Sequence, residues 1–147
     1  MLAPSVMANV QNQKNAGDAK FQVGQKWSYH NRPGEEQSYF IVVKIDNDLK
    51  LGKIIHIAVR GLKMKNPRSP DGFSNDVNHM PFAEEAIEKS AVKLLKEKVE
   101  LPGFEEGYRI WREAFDGGRA GIYTITVAEA VTAMESILNG KTMATPE

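Results

Sequence analysis

Cysteine is absent from the 147 residues. That removes disulfides, thiolate metal sites and a cysteine nucleophile, without naming a compartment. Long apolar runs are absent too, so no stretch reaches the roughly 18 residues of a membrane-spanning helix. Net charge is missing: nineteen basic and nineteen acidic residues cancel, which argues against a polyanion binder acting through overall charge. Histidine is scarce. His30, His56 and His79 are the three, and none stands two or four residues from another, so no local metal motif exists.

Several motifs begin and then fail. Asp46-x-Asp48 opens like a calcium loop, but Lys50 occupies the next ligand position and Leu51 the place of the turn glycine. Gly72-Phe73-Ser74-Asn75-Asp76 resembles a nucleophile elbow until Asp76 takes the second glycine's position. Gly117-Gly118-Arg119-Ala120-Gly121 follows a helical pattern and precedes a β-branched one. A dinucleotide fingerprint needs the reverse order, strand before helix. No cofactor and no metal is expected from these patterns.

What is present suits one globular domain. A hydrophobic fraction of 41% beside 26% charged residues supports a core within the 147 residues. Charge is unevenly placed: residues 21–70 hold nine basic and four acidic side chains, residues 71–147 eight and fourteen. The first half is therefore basic and the second acidic. Two differently charged faces of one domain account for this most simply; a basic binding surface is the functional alternative.

The organising stretch is Ser38 to Met64. Tyr39-Phe40-Ile41-Val42-Val43-Lys44-Ile45 and Lys53-Ile54-Ile55-His56-Ile57-Ala58-Val59-Arg60 are rich in β-branched residues, which suit a pleated surface. Asp46 to Gly52 between them is dense in turn formers, so the pair reads as a β-hairpin. Simple alternation places Tyr39, Ile41, Val43 and Ile45 on one face, with Phe40 and Val42 on the other. In the return strand Ile55, Ile57 and Val59 form a buried row, opposite His56, Ala58 and Arg60. Phe21 to His30 also alternates, and Asn31-Arg32-Pro33-Gly34 turns it into the hairpin. The three strands make an antiparallel meander, a small twisted sheet or partial barrel.

Residues 65–78 carry Pro67, Pro70, Asp71-Gly72 and Asn75 and read as a long irregular loop, either functional or a plain crossover. From Pro81 the period becomes helical through Ala83, Ile87, Ala91, Leu94, Leu95 and Val99, until Leu101-Pro102-Gly103. A second helix carries Phe104, Tyr108, Trp111 and Phe115, an aromatic stripe whose spacing suits packing on the sheet. Residues 121–125 suggest a fourth strand. Thr126-Val127-Ala128-Glu129 is a capping-box signature before the last helix, closed by Gly140. The expected fold is α+β, with three helices packed on one face of the meander. Residues 21–140 form the domain, 1–20 an arm or signal remnant (Val6 and Ala8 stand where small residues precede a cleavage site), and 141–147 a frayed end. A true remnant places the protein in the periplasm or outside the cell; otherwise it is cytoplasmic.

Three functions fit these residues. The first is a non-enzymatic protein-interaction module, for instance an immunity or inhibitor-type protein binding an effector. Its candidate surface is a cationic row of His56, Arg60, Lys63, Lys65 and Arg68 with Asp71 in the following loop, and Lys44 across the hairpin. A solvated outer face is the simpler account of the same row. The second is a nucleic-acid-binding module with Trp27 and Tyr29 as a stacking platform, unless those rings are core. The third is an enzyme whose His56, His79 and Asp71 meet only in space.

Overall fold

A computed structural model describes residues 20–140. The arm or signal remnant read over 1–20 lies, apart from Lys20, outside the described residues, as does the tail 141–147. Ten elements follow in order: β1 (Lys26–Tyr29), β2 (Tyr39–Asp48), β3 (Gly52–Arg60), β4 (Met64–Lys65), β5 (Phe73–Ser74), β6 (Val77–Ala83), α1 (Glu84–Ser90), β7 (Ala91–Lys96), α2 (Glu105–Asp116) and α3 (Val127–Leu138). Five strands form one sheet in the order β6-β3-β2-β1-β7, antiparallel throughout. Strands β4 and β5 form a separate two-stranded hairpin, and among the described residues no barrel closes.

The α+β class and the meander stand as the residue pattern led us to expect, with three helices among the elements of the described residues. The Asp48–Gly52 turn is built as its composition suggests: Asp48 Oδ2 accepts the amides of Lys50 and Leu51 at 3.0 and 2.9 Å, and Gly52 takes φ +78°. The core lies on one face of the sheet. Phe40, Val42, Ile55, Ile57, Val59, Met80 and Phe82 pack there against Ala86 and Ile87 of α1 and Val127, Ala130 and Val131 of α3. Buried Ser90 joins those helices, accepting the Val127 amide at 2.9 Å while donating to the Ala86 carbonyl at 2.7 Å. The capping box forms, with the Glu129 amide donating to Thr126 Oγ1 at 3.2 Å and the Thr126 amide to Glu129 Oε1 at 2.9 Å.

Helices occupy both faces, not one. Helix α2 sits on the opposite side, where Phe104 joins a smaller cluster of Ile41, Val43 and Ala58. The helix expected from Pro81 is cut at both ends. Pro81 lies within β6, and the chain leaves α1 after Ser90 to run as β7 beside β1, pairing Trp27 with Leu94. Strand β1 needs a second neighbour for its amides and carbonyls, and that demand overrides the helical period of Ala91, Leu94 and Leu95. Residues 121–125 give no strand. Tyr123 alone bridges to Phe82, its amide donating to the Pro81 carbonyl and its carbonyl accepting the Ala83 amide, both at 2.9 Å. That clasp covers the β6 edge.

Two register shifts set the site. Val42 pairs with Ile57 and Lys44 with His56, so Val43 is an extra residue in β2. The bulge moves Ile45 to the core face and turns Lys44 and Asp46 onto the face of His56, against simple alternation. On the other flank of β3, Ile57 pairs with Met80 and Val59 with Val77, so Asn78 and His79 together oppose Ala58. This second bulge sends both Val77 and Met80 to the core face and leaves His79 beside His56.

Candidate functional site

The two bulges converge on His56, which is 0% exposed at the middle of β3. Its Nε2 lies 3.0 Å from Asp46 Oδ2, and its Nδ1 lies 2.9 Å from His79 Nε2. The two rings stack, with centroids 5.1 Å apart and planes 20° from parallel. Helix α2 covers them. Tyr108 donates its hydroxyl to Asp46 Oδ2 at 2.9 Å, and Arg112 Nη1 stands 3.5 Å from the same oxygen. The Trp111 ring meets His56 edge-on at 4.9 Å and lies 6.0 Å from His79. Lys44 places its ammonium 5.0 Å from the centre of the Tyr108 ring. Trp111 also lines a cavity of about 370 Å³ with Pro81, Gly121, Ile122 and Tyr123, and its indole N–H donates to the Gly121 carbonyl at 2.8 Å.

The hydrogen bonds assign the tautomers. A carboxylate only accepts, so His56 carries its proton on Nε2 and presents a lone pair at Nδ1. His79 must then donate from Nε2, which leaves its own Nδ1 unprotonated. Burial pushes His56 below its ordinary value, with Asp46 pulling the other way. Burial, and then the neighbouring His56, depress His79 to about 4. Burial and the Asp46 carboxylate raise the Tyr108 phenol. Both imidazoles are therefore neutral at neutral pH. An imidazole so depressed is a weak proton acceptor there, whereas a general base works best with a pKa near the operating pH. The arrangement suits holding α2 on the sheet better than abstracting a proton. Their nitrogens point at each other, and no group of three or more His, Asp or Glu among the described residues is arranged to hold a metal ion.

The cationic row is divided. His56 lies buried beneath α2. Arg60, its side chain 21% exposed, donates to the Val59 carbonyl at 3.1 Å and Asn78 Oδ1 at 2.8 Å, with Asp76 3.8 Å away. Lys63, Lys65, Arg68 and Asp71 are exposed on or beside the β4–β5 hairpin. The root of that hairpin is tied down: the amides of Lys63 and Lys65 donate to Glu35 Oε2 and Glu135 Oε2, each at 2.7 Å. Its tip is built from local bonds, with Asn66 Oδ1 accepting the Arg68 amide at 3.0 Å and Asp71 Oδ1 the Phe73 amide at 3.1 Å. The irregular loop read over 65–78 is thus an ordered hairpin followed by the start of β6.

His56 and His79 do meet, as the enzyme reading required, but Asp71 is held in the hairpin tip and Asp46 takes the place beside them. Residue patterns pointed to Lys44 across from His56, and the two pair directly. They missed Asp46, Tyr108 and Arg112, because a bulge cannot be read from alternation and α2 lies about fifty residues away. Trp27 and Tyr29 are 7% and 3% exposed, in the core, so neither ring offers a stacking surface. No helix among the described residues is long and apolar enough to cross a membrane. Compared with protein-family models, curated protein sequences and solved structures, the chain matches none.

Proposed function

We propose that this chain is a non-enzymatic protein-interaction module of the inhibitor or immunity type, gripping an acidic surface of its partner with the β4–β5 hairpin. One observation carries the reading. Phe73, 42% exposed, stands directly opposite Lys65 in the hairpin ladder, with Arg68 at the tip between them. An exposed aromatic flanked by cations on an ordered hairpin has the composition of an interface anchor, and pre-ordering lowers the entropic cost of binding. Lys63 and Arg60 extend the positive charge towards the sheet, Arg60 with Asp76 3.8 Å away, and Asp71 fixes the hairpin's own geometry.

The test is capture of partners from the native host by the tagged chain and by a Lys65→Glu, Arg68→Glu variant, with Phe73→Ala as a second probe. The reading expects a partner that binds the parent and is lost, by more than about tenfold in affinity, from both variants at unchanged melting temperature. Equal retention by folded variants would remove the hairpin from the interface. Retention of single-stranded oligonucleotide that falls steeply with salt would favour the nucleic-acid reading instead.

A further inference from the structure

We propose that Asp46, His56 and His79 form an acid-opened latch that holds α2 on the sheet and, on opening, uncovers the face of Trp111 together with Ile41, Val43 and Ala58. The inference is independent of the hairpin. Helix α2 has one buried residue, Trp111. Phe104 at its start rests on Ile41, Val43 and Ala58, but the rest of its footing is on ionisable groups: Tyr108 on Asp46, Trp111 against both imidazoles, and Gly107 so close that an added Cβ would lie 3.0 Å from His79 Cβ. A helix seated on aliphatic side chains is indifferent to protons; one seated here is not.

The surrounding charges sharpen the dependence. From β2 come the Asp46 carboxylate and the Lys44 ammonium, and from α2 the Arg112 guanidinium and the neutral Tyr108 phenol; β3 and β6 supply the two imidazoles. The Asp46 carboxylate already faces Lys44 and Arg112, the latter also paired with the Asp116 carboxylate at 3.1 Å. A proton on His79 Nδ1 keeps the bond to His56 but adds a third cation in a site closed by Trp111. A second proton, on His56 Nδ1, displaces the bond itself and sets two imidazolium rings 5.1 Å apart. Once α2 lifts, His79 is hydrated and accepts its proton near its ordinary value. The closed state, with His79 at about 4, therefore loses roughly tenfold in closing constant for each pH unit below about 6.5, or about 160-fold by pH 4.

The chain holds two tryptophans, Trp27 in the core and Trp111 on the latch, so each has its own reporter. Trp27→Phe leaves Trp111 fluorescence, and Trp111→Phe leaves that of Trp27. Titrated from pH 8 to 3, Trp111 emission should shift to the red at higher pH than Trp27 emission and far-UV circular dichroism change. Adding His79→Gln, whose amide still donates to His56, should move the Trp111 transition down to that of Trp27. In the unaltered chain, amides of residues 105–116 should lose protection between pH 7 and 5 relative to those of β3, after correction for intrinsic exchange. Coincident Trp27 and Trp111 transitions, a Trp111 midpoint indifferent to His79→Gln, or equal protection changes in α2 and β3 would each overturn the latch.

Discussion

His56 and His79, twenty-three residues apart, share a hydrogen bond of 2.9 Å between imidazole nitrogens beneath a helix that begins more than twenty residues further on. The bond needs the lone pair on His56 Nδ1, so it persists only while the His56 ring is neutral.

Stability should fall with acid, and His79 should carry much of the fall. With His79 at about 4 in the fold and about 6.5 when exposed, the unfolded chain binds its proton first. The contribution is intact above pH ~6.5 and is lost as pH drops from there towards 4, by on the order of 3 kcal/mol. Urea midpoints of the parent and His79→Gln at pH 7.5 and 5 measure it. A variant whose midpoint drops as steeply as the parent's would assign the acid sensitivity to other groups.

Gly107→Ala should destabilise the fold by ~1–2 kcal/mol although alanine is the better helix former by about 1 kcal/mol. The new methyl would meet His79 Cβ at 3.0 Å, and His79 cannot retreat without losing its bond to His56. A stabilised variant in thermal denaturation would mean that α2 rides higher on the sheet than described.

Trp111→Ala should cost ~3–5 kcal/mol, since it removes a buried ring from both imidazoles and from Phe115, stacked at 4.6 Å. Because α2 packs on the sheet's second face, most of the loss should appear as lowered hydrogen-exchange protection of residues 105–116. A mutant melting with the parent would contradict the burial.

Thr126→Ala should weaken the fold by ~1 kcal/mol, one capping bond being lost where the Glu129 amide donates to Thr126 Oγ1 at 3.2 Å. Ser90→Ala should cost more, about 1–3 kcal/mol, because the Val127 amide that its hydroxyl accepts is buried and would find no water. Chemical denaturation of the two variants side by side checks the order, and the reverse ranking would refute it.

Local chemistry was legible wherever it acts within a few residues. The Asp48–Gly52 turn, the Thr126–Glu129 box and the buried row Ile55, Ile57 and Val59 follow from side chains a reader can align by eye. The stretch from Ala91 to Lys96 misled for the opposite reason. Its period suits a helix, and only the presence of β1, sixty-five residues away with an open edge, makes it a strand.

The sequence by itself determined the α+β class, the meander and the capped last helix, because periodicity and turn chemistry are properties of neighbouring residues. Only the tertiary structure decided the site. A single extra residue at Val43 and another at Asn78–His79 change which face every following side chain occupies, and these shifts bring Asp46 and His79 to His56. Bulges arise from how strands pair and pack, not from local propensity, so one chain read alone shows alternation where the folded sheet has slipped.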